Sequence, residues 1–406
     1  MPIHFGNISV SKSECLAKIG NSGGLCLSRL SSAGKVNALM SLKTPLYNLH
    51  ISLGGRMVDF AGWEMPVQYK SIVEEHNRVR QSVGAFDISH MGRFRLYGPG
   101  AKALLSQTVT CPVDAIKPGQ VKYGLVLNET GGTRDDVLVY RLNNAEGHSS
   151  NDHWALVVNA SNREKIWTVL LGANRCPDTR IIDETLDTTM VAIQGPEAVA
   201  ICGKIAGLDF SGLGNYHSQS ILWKDHEILV SRTGYTGEDG MEWCVPAALT
   251  DSLVSALADE GVSWCGLGCR DTLRLEAAMP LYGHELEEDI DPLQSGLSFA
   301  VRRPLEGFIG ANGLAKRAEN LERPIRTGLK LTGKRIARQG DKVYQDGREI
   351  GVVTSGTFGP TVGASIAMAL VNPVAAKSPS PVEIDVRGKR EEAVWAPLPF
   401  YKRPKA

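Results

Sequence analysis

Two adjacent carboxylates are the first sign of chemistry in this chain. Asp135 and Asp136 leave a Gly131-Gly132 turn and run straight into the apolar stretch Val137-Leu138-Val139. An ionised carboxylate entering a buried strand loses hydration that only a partner can replace, so the pair marks a place where a charge has work to do. Strand side chains alternate between faces, so the two point in opposite directions and only one can face a given pocket. The apolar residues at 137 to 139 do not decide which. Glu242 poses the same question in Gly240-Met241-Glu242-Trp243-Cys244-Val245, a run that reads as a buried strand. A ligand with paired N–H groups would satisfy it, and so would a lysine partner or water on an open strand face. Arg270 and Arg274 stand one helical turn apart in the segment 266–277, a turn entering a helix with Cys269, Leu273 and Ala277 as its packing stripe. On their shared face a guanidinium could grip a carboxylate ligand, or both could belong to an ordinary Arg–Asp or Arg–Glu network.

Other signatures fail on chemistry. The glycine-rich run Gly234-Tyr235-Thr236-Gly237-Glu238-Asp239-Gly240 lacks the Lys-Ser/Thr of a P-loop and the spacing of a dinucleotide fingerprint, which leaves a tight turn. His284-Glu285 has no second histidine to make a zinc helix. The eight cysteines have no paired spacing; Cys265 and Cys269 could share a helical face, but no further ligand completes a metal site. Scattered thiols of this kind suit a reducing, cytosol-like compartment.

The elements that must position these residues can be read in outline. At 406 residues the chain has room for two or three domains, and its 44 basic and 44 acidic side chains give no positive field for nucleic acid. No apolar run reaches the ~18 residues a membrane helix needs, so no membrane association is expected. Residues 1–39 are rich in Ser and Gly with Glu14 as the single acid, a texture that suits an organellar transit peptide; a start at Met40 is the alternative. The leader is expected to be disordered. The compartment is accordingly the bacterial cytoplasm, or the mitochondrial matrix if the leader is an address. Ser71-Ile72-Val73-Glu74 predicts a capped helix that Gly84 stops. Phe86–Met91 and Phe94–Tyr97 alternate as strands, with a short helix near 103–106 after Gly98-Pro99-Gly100. Extended segments at 154–158 and 189–194 alternate with helices at 162–171 and 196–205, and the short turns favour antiparallel α+β over a doubly wound sheet. After about 322 the chain turns to strands, with an Asp346-Gly347 hairpin signal, and predicts a small separate β barrel or sandwich. Lys316–Pro324 reads as a linker. The boundaries expected are 40–185, 186–315 and 322–406.

Taken together, Thr44–Tyr47, Gly55–Pro66, Phe86–Met91, Gly131–Val139, Arg232–Glu238, Arg270-Asp271 through Leu281-Tyr282-Gly283 and Thr354–Gly356 resemble, in order, the T-protein family of the glycine cleavage system, from Thr44 to about Arg403. The resemblance implies a three-domain fold, two antiparallel α+β domains around a folate pocket and a small C-terminal β-barrel-like domain. It implies an aminomethyltransferase that takes the aminomethyl group from the lipoyl arm of H-protein, alongside P-protein and L-protein. Its products would be ammonia, methylenetetrahydrofolate and the dihydrolipoyl arm. Tetrahydrofolate would be the co-substrate and no metal is called for. By the same resemblance Asp136 is the catalytic carboxylate, Tyr123, Asn159, Tyr235 and Arg270 line the folate pocket, and Glu242 holds the pterin. Arg134 departs from the family by standing where an apolar residue is usual, and a cation there could lower the pKa of either aspartate. A folate-dependent demethylase of another small methylated substrate and a non-catalytic folate-binding relative are the alternatives; the intact acidic pair and Glu242 argue against the last.

Overall fold

Ser71 accepts a hydrogen bond from the Glu74 amide at 3.1 Å, and the helix that the capping pattern predicts follows at once. The computed structural model describes residues 41–143, 153–378 and 380–404. The leader expected over 1–39 lies outside the described residues.

In chain order, β1 (Leu42–Lys43), α1 (Tyr47–Ser52), β2 (Arg56–Phe60) and β3 (Trp63–Gln68) make a small sheet in the order β1-β3-β2. Then come α2 (Ile72–Gln81), β4 (Gly84–Asp87), β5 (Gly92–Tyr97), α3 (Ala101–Thr108), β6 (Val121–Leu127), β7 (Thr133–Arg141), β8 (His153–Val158), α4 (Arg163–Ala173) and β9 (Arg180–Asp183). Strands β6-β7-β8-β5-β9 form an antiparallel five-stranded sheet. The next elements are β10 (Thr188–Gln194), α5 (Ala198–Ala206), β11 (Ser218–Trp223), β12 (His226–Ser231), β13 (Gly240–Pro246), α6 (Thr250–Asp259) and β14 (Ser263–Trp264). They build a six-stranded sheet, β11-β12-β13-β10-β4-β14, into which β4 is recruited from much earlier in the chain. Beyond α7 (Leu267–Glu276) and α8 (Ala311–Glu319), the strands β15 (Ile325–Leu331), β16 (Lys342–Gln345), β17 (Arg348–Gly359), β18 (Ala364–Val371), β19 (Val382–Val386) and β20 (Lys389–Ala396) close into a barrel. Asp346 and Gly347 take the positive φ values, 51° and 77°, that a two-residue hairpin turn demands. The mixed α+β class and the C-terminal barrel are as expected.

The alternation along each strand sorts the apolar residues of the two large sheets into three clusters. On β7 and β8 the set Val137, Val139, Trp154, Leu156 packs under α3 and α4, while Tyr140, Ala155 and Val157 face the other way. On the second sheet Met241, Trp243, Val191 and Ile193 pack under α5 and α6, while Phe86, Met190 and Ala192 face the first sheet. These inner faces meet, together with Cys269 and Leu273 of α7, in one buried cluster. By the same parity Asp136 and Glu242 project between the sheets and Asp135 projects toward the helix layer.

Three local expectations are corrected. Helix α2 ends at Gln81, not at Gly84; Gly84 opens β4, where a Cβ would sit 2.7 Å from Cys265 Sγ. Strand character stops at Asp87 rather than reaching Met91, because the Asp87 carboxylate accepts from Ser89 N at 2.8 Å and from Thr44 Oγ1 at 2.6 Å and bends the chain. The stretch read as a linker from Lys316 is helical through Glu319, since Ala311 and Leu314 bury one face of α8 and the Arg317 guanidinium donates to Thr130 O at 2.8 Å.

Candidate active site

The acidic pair is placed by its turn. Asn128 Oδ1 accepts from the Gly132 amide at 2.9 Å and from Thr130 N at 3.1 Å, and Gly132 must be glycine because a Cβ would lie 1.6 Å from Glu288 O. From that anchor Asp136 enters the space between the sheets, where its Oδ2 accepts from Tyr123 Oη at 3.0 Å and its Oδ1 from Asn159 Nδ2 at 2.7 Å. Asp135, fully buried on the opposite face, accepts from Asn159 N at 3.0 Å, Asn159 Nδ2 at 2.8 Å and Asn162 Nδ2 at 2.7 Å. The alternation therefore holds, yet the two carboxylates are joined. Asn159 lies one residue past the end of β8, free of the strand pairing, so its side-chain amide reaches both acids.

Burial pushes both acids above the usual carboxylate range. For Asp135 the Asp136 charge adds to that push and the two asparagines oppose it. For Asp136 the opposing groups are Tyr123 and then Asn159. The Tyr123→Phe variant removes a donor that favours the ionised carboxylate, so the Asp136 pKa rises further. The acid limb of the activity profile is then expected to move to higher pH, which a kcat/KM titration of the two proteins would read; coincident limbs would deny Tyr123 this role. Arg134 does not act on the pair as its position in sequence suggested. Its guanidinium pairs instead with Glu129 at 2.9 Å.

Glu242 forms the facing wall. It is buried, and among the described residues its side-chain donor is Thr233, whose hydroxyl donates at 2.5 Å, so the lysine partner considered from sequence is not what holds it. Burial raises its pKa, against Thr233 and the Arg270 charge. The two arginines of α7 part company. Arg274 is consumed by Asp271 at 2.8 Å, Glu285 at 3.1 Å and Ser355 at 2.8 Å, an internal network. Arg270 instead lies over the Tyr235 ring at 5.0 Å and near Phe86 at 6.0 Å, and its Nη1 is buried with no hydrogen-bond partner. A buried donor left unsatisfied costs about 1–3 kcal/mol, a penalty a ligand acceptor would remove. Tyr235, in the tight turn before β13, donates to Pro280 O, and burial raises its pKa, with Arg274 opposing and the Asp136 charge adding. All six residues expected at the site thus converge. Asn162, which donates to Asp135, was missed: it sits three residues after Asn159 in a polar turn, a spacing with no mark of its own.

This set, a bare guanidinium N–H with aromatic rings beside it and a carboxylate with one hydroxyl donor, suits a flat polar heterocycle that offers both N–H groups and acceptors. No group of three or more acids, histidines or cysteines able to hold a metal occurs among the described residues. No helix among them is long and apolar enough to cross a membrane.

Comparison with known proteins places this architecture. Residues 46–304 match the GCVT N-terminal domain and residues 326–402 the glycine cleavage T-protein C-terminal barrel domain. An aminomethyltransferase of Geobacillus thermodenitrificans is 41% identical over 373 residues, 90% of this chain and 100% of its own. One from Rubrobacter xylanophilus is 43% identical over 362 residues, 89% of this chain and 94% of its own. The crystal structure of the glycine cleavage system aminomethyltransferase T from Bartonella henselae superposes with a TM-score of 0.82 at 33% identity, covering 89% of this chain and 98% of that one. Two family domains in order, full-length relatives and a matching fold agree: the chain belongs to the glycine cleavage T-protein family of aminomethyltransferases.

Proposed function

We propose that this aminomethyltransferase uses tetrahydrofolate as acceptor and the lipoyl arm of H-protein as donor, with Asp136 as the reacting carboxylate. The observation that carries this reading is Asp136 itself: a half-buried acid held by Tyr123 and Asn159, opposite a wall where Arg270 keeps a buried N–H bare. Bound there, tetrahydrofolate would supply two amines to the methylene carbon, N5 displacing ammonia and N10 displacing the dihydrolipoyl sulfur, so that each bond formed matches one broken. Positive charge builds beside the attacking nitrogen, and the fixed Asp136 anion stabilises it without reorganisation. The same oxygen can hold the proton that moves from the attacking amine toward the departing ammonia. Tyr123 and Asn159 keep both oxygens oriented. Glu242 accepts paired N–H groups of the pterin in a planar fork, and Arg270 takes an acceptor on the ligand. Among the described residues no activated nucleophile stands near, which favours direct transfer over a covalent enzyme intermediate.

The arm would enter past Phe299, which is 75% exposed between Leu297 and Ala300, both buried, and stacks on Tyr123 at 6.1 Å. Its ring offers an apolar contact at the mouth of the site to an aliphatic chain. H-protein would then work with P-protein and L-protein in a cytosol-like compartment, in keeping with six described cysteines that are all free.

Glycine turnover with purified P-, H- and L-proteins, tetrahydrofolate and this protein tests the reading, with ammonia and methylenetetrahydrofolate followed together. Stoichiometric formation of both supports it. Folate binding without turnover would move the function to a demethylase of another substrate or to a non-catalytic binder. The Glu242→Gln variant keeps shape but offers an N–H where an acceptor is needed, so its folate Kd should weaken by about 10–100-fold. Titration calorimetry checks this, and an unchanged Kd would remove Glu242 from the pterin site.

A further inference from the structure

His90 is 3% exposed, its Nδ1 is buried, and that nitrogen has no hydrogen-bond partner. Buried polar atoms are nearly always paired, so an orphan in a well-ordered place calls for a reason. The place is well ordered. His90 lies on the connector from β4 to β5, and the Arg93 guanidinium clamps the chain on both sides of it, donating from Nη1 to Ser89 O at 3.0 Å and to Met91 O at 2.6 Å. Its ring meets the exposed Phe60 edge-on at 5.5 Å, an apolar contact that any aromatic residue would make.

The connector joins the two walls of the site. Phe86, at its β4 end, pairs with Ala192, which pairs in turn with Glu242 across the second sheet. Gly92, at its β5 end, is level with Val158, next to Asn159, and Val158 pairs with Val137, next to Asp136. Arg270, whose Nη1 is likewise bare, is close enough for its charge to act on His90. Burial and the Arg270 and Arg93 charges, against Asp87, push the imidazole down to about 4, so it is neutral in the working range and carries one donor and one acceptor. Arginine is donor only, and a neutral imidazole beside it could have accepted its N–H, yet the two do not bond. Both are left for a third partner.

We propose that His90 is a ligand-contacting residue, hydrogen-bonding through its neutral imidazole to the polar edge of the folate bound between Glu242 and Arg270. The contact rests on the folate reading above and adds a residue to it. It also accounts for a histidine where packing alone would be served by phenylalanine.

The test compares His90→Phe and His90→Gln in the full chain, by thermal melting without ligand and by calorimetric titration with tetrahydrofolate. His90→Phe keeps the ring packing and removes the unpaired nitrogen, so its melting temperature should equal or exceed that of the parent while its folate Kd weakens about tenfold. His90→Gln should recover part of that affinity through its amide. A His90→Phe protein that binds folate as the parent does overturns the contact. So does one that loses stability and affinity together with no recovery in His90→Gln, since that is the behaviour of a structural residue. A parent protein that does not bind folate overturns the proposed function, and this contact with it; parent binding with an unaffected variant overturns the contact alone.

Discussion

Asp136→Asn should lower kcat by about 10²–10³-fold while the Kd for tetrahydrofolate stays within about threefold of the parent. The substitution is nearly isosteric but removes the charge and sets an amide N–H against Asn159 Nδ2, which now donates to that oxygen at 2.7 Å. The cost falls on the step in which cationic character develops, so kcat carries it. In the proposed function ligand binding rests on the opposite wall, where Glu242 and Arg270 are untouched, so the Kd does not. Loss of the ionisable group should also flatten the acid limb of the profile that Tyr123→Phe displaces. Single-turnover transfer from loaded H-protein, with folate binding measured separately, decides the matter. Near-full turnover with binding intact would sink the assignment of Asp136. A loss of binding to match the loss of rate would show that the carboxylate holds the ligand instead of serving the reaction.

How much of this was legible beforehand depends on the distance over which each feature is determined. The capped start of α2, the Asp346-Gly347 hairpin and the strand containing Glu242 follow from residues near in sequence, and they stand as read. The acidic pair was visible for the same reason. Choosing between its members from the residues needs to know which face of β7 the helices cover, and that is settled by Leu104, Leu105, Ile166 and Leu170 from elsewhere in the chain. The likeness to a family supplied the choice that periodicity could not. Arg270 and Arg274 look equivalent on a helical wheel. They differ because Glu285 and Ser355 come to one, while Tyr235 and Phe86 lie beneath the other. Arg134 misled in the opposite sense: it neighbours the pair in sequence, but its guanidinium is taken by Glu129 in the preceding turn. His90 was hidden by an apparent alternation that Asp87 interrupts with its own side chain.

Glu276→Ala should destabilise the protein by about 3–5 kcal/mol near neutral pH, the range for removing one partner of a buried, multiply bonded charge. Glu276, fully buried at the end of α7, accepts from Arg80 Nη2 at 2.9 Å and faces His76 Nε2 at 3.2 Å. It also takes the Thr361 and Val362 amides of the β17–β18 turn at 2.8 and 3.2 Å, and its carbonyl accepts from Tyr401 N at 2.8 Å. The carboxylate thus ties α2, α7 and the barrel together, and the backbone of the same residue holds the C-terminal segment. Burial opposes its ionisation, but His76 and Arg80 outweigh that and hold its pKa at about 2, below the ordinary 4.5. A depressed acid contributes stability that is complete above 4.5 and disappears as pH falls toward about 2. Urea midpoints of the parent and Glu276→Gln should therefore differ most at neutral pH and converge on acidification through that window. A gap that stays constant would mean that shape, not charge, is what the variant loses. The effect should reach the site as well. Arg80, released from Glu276, also donates to Thr236 O at 2.7 Å and pairs with Glu238 at 3.0 Å, in the turn that presents Tyr235 under Arg270. Folate affinity should weaken in the variant while single-turnover transfer at saturating folate is retained, because Asp136, Tyr123 and Asn159 stand on the other sheet.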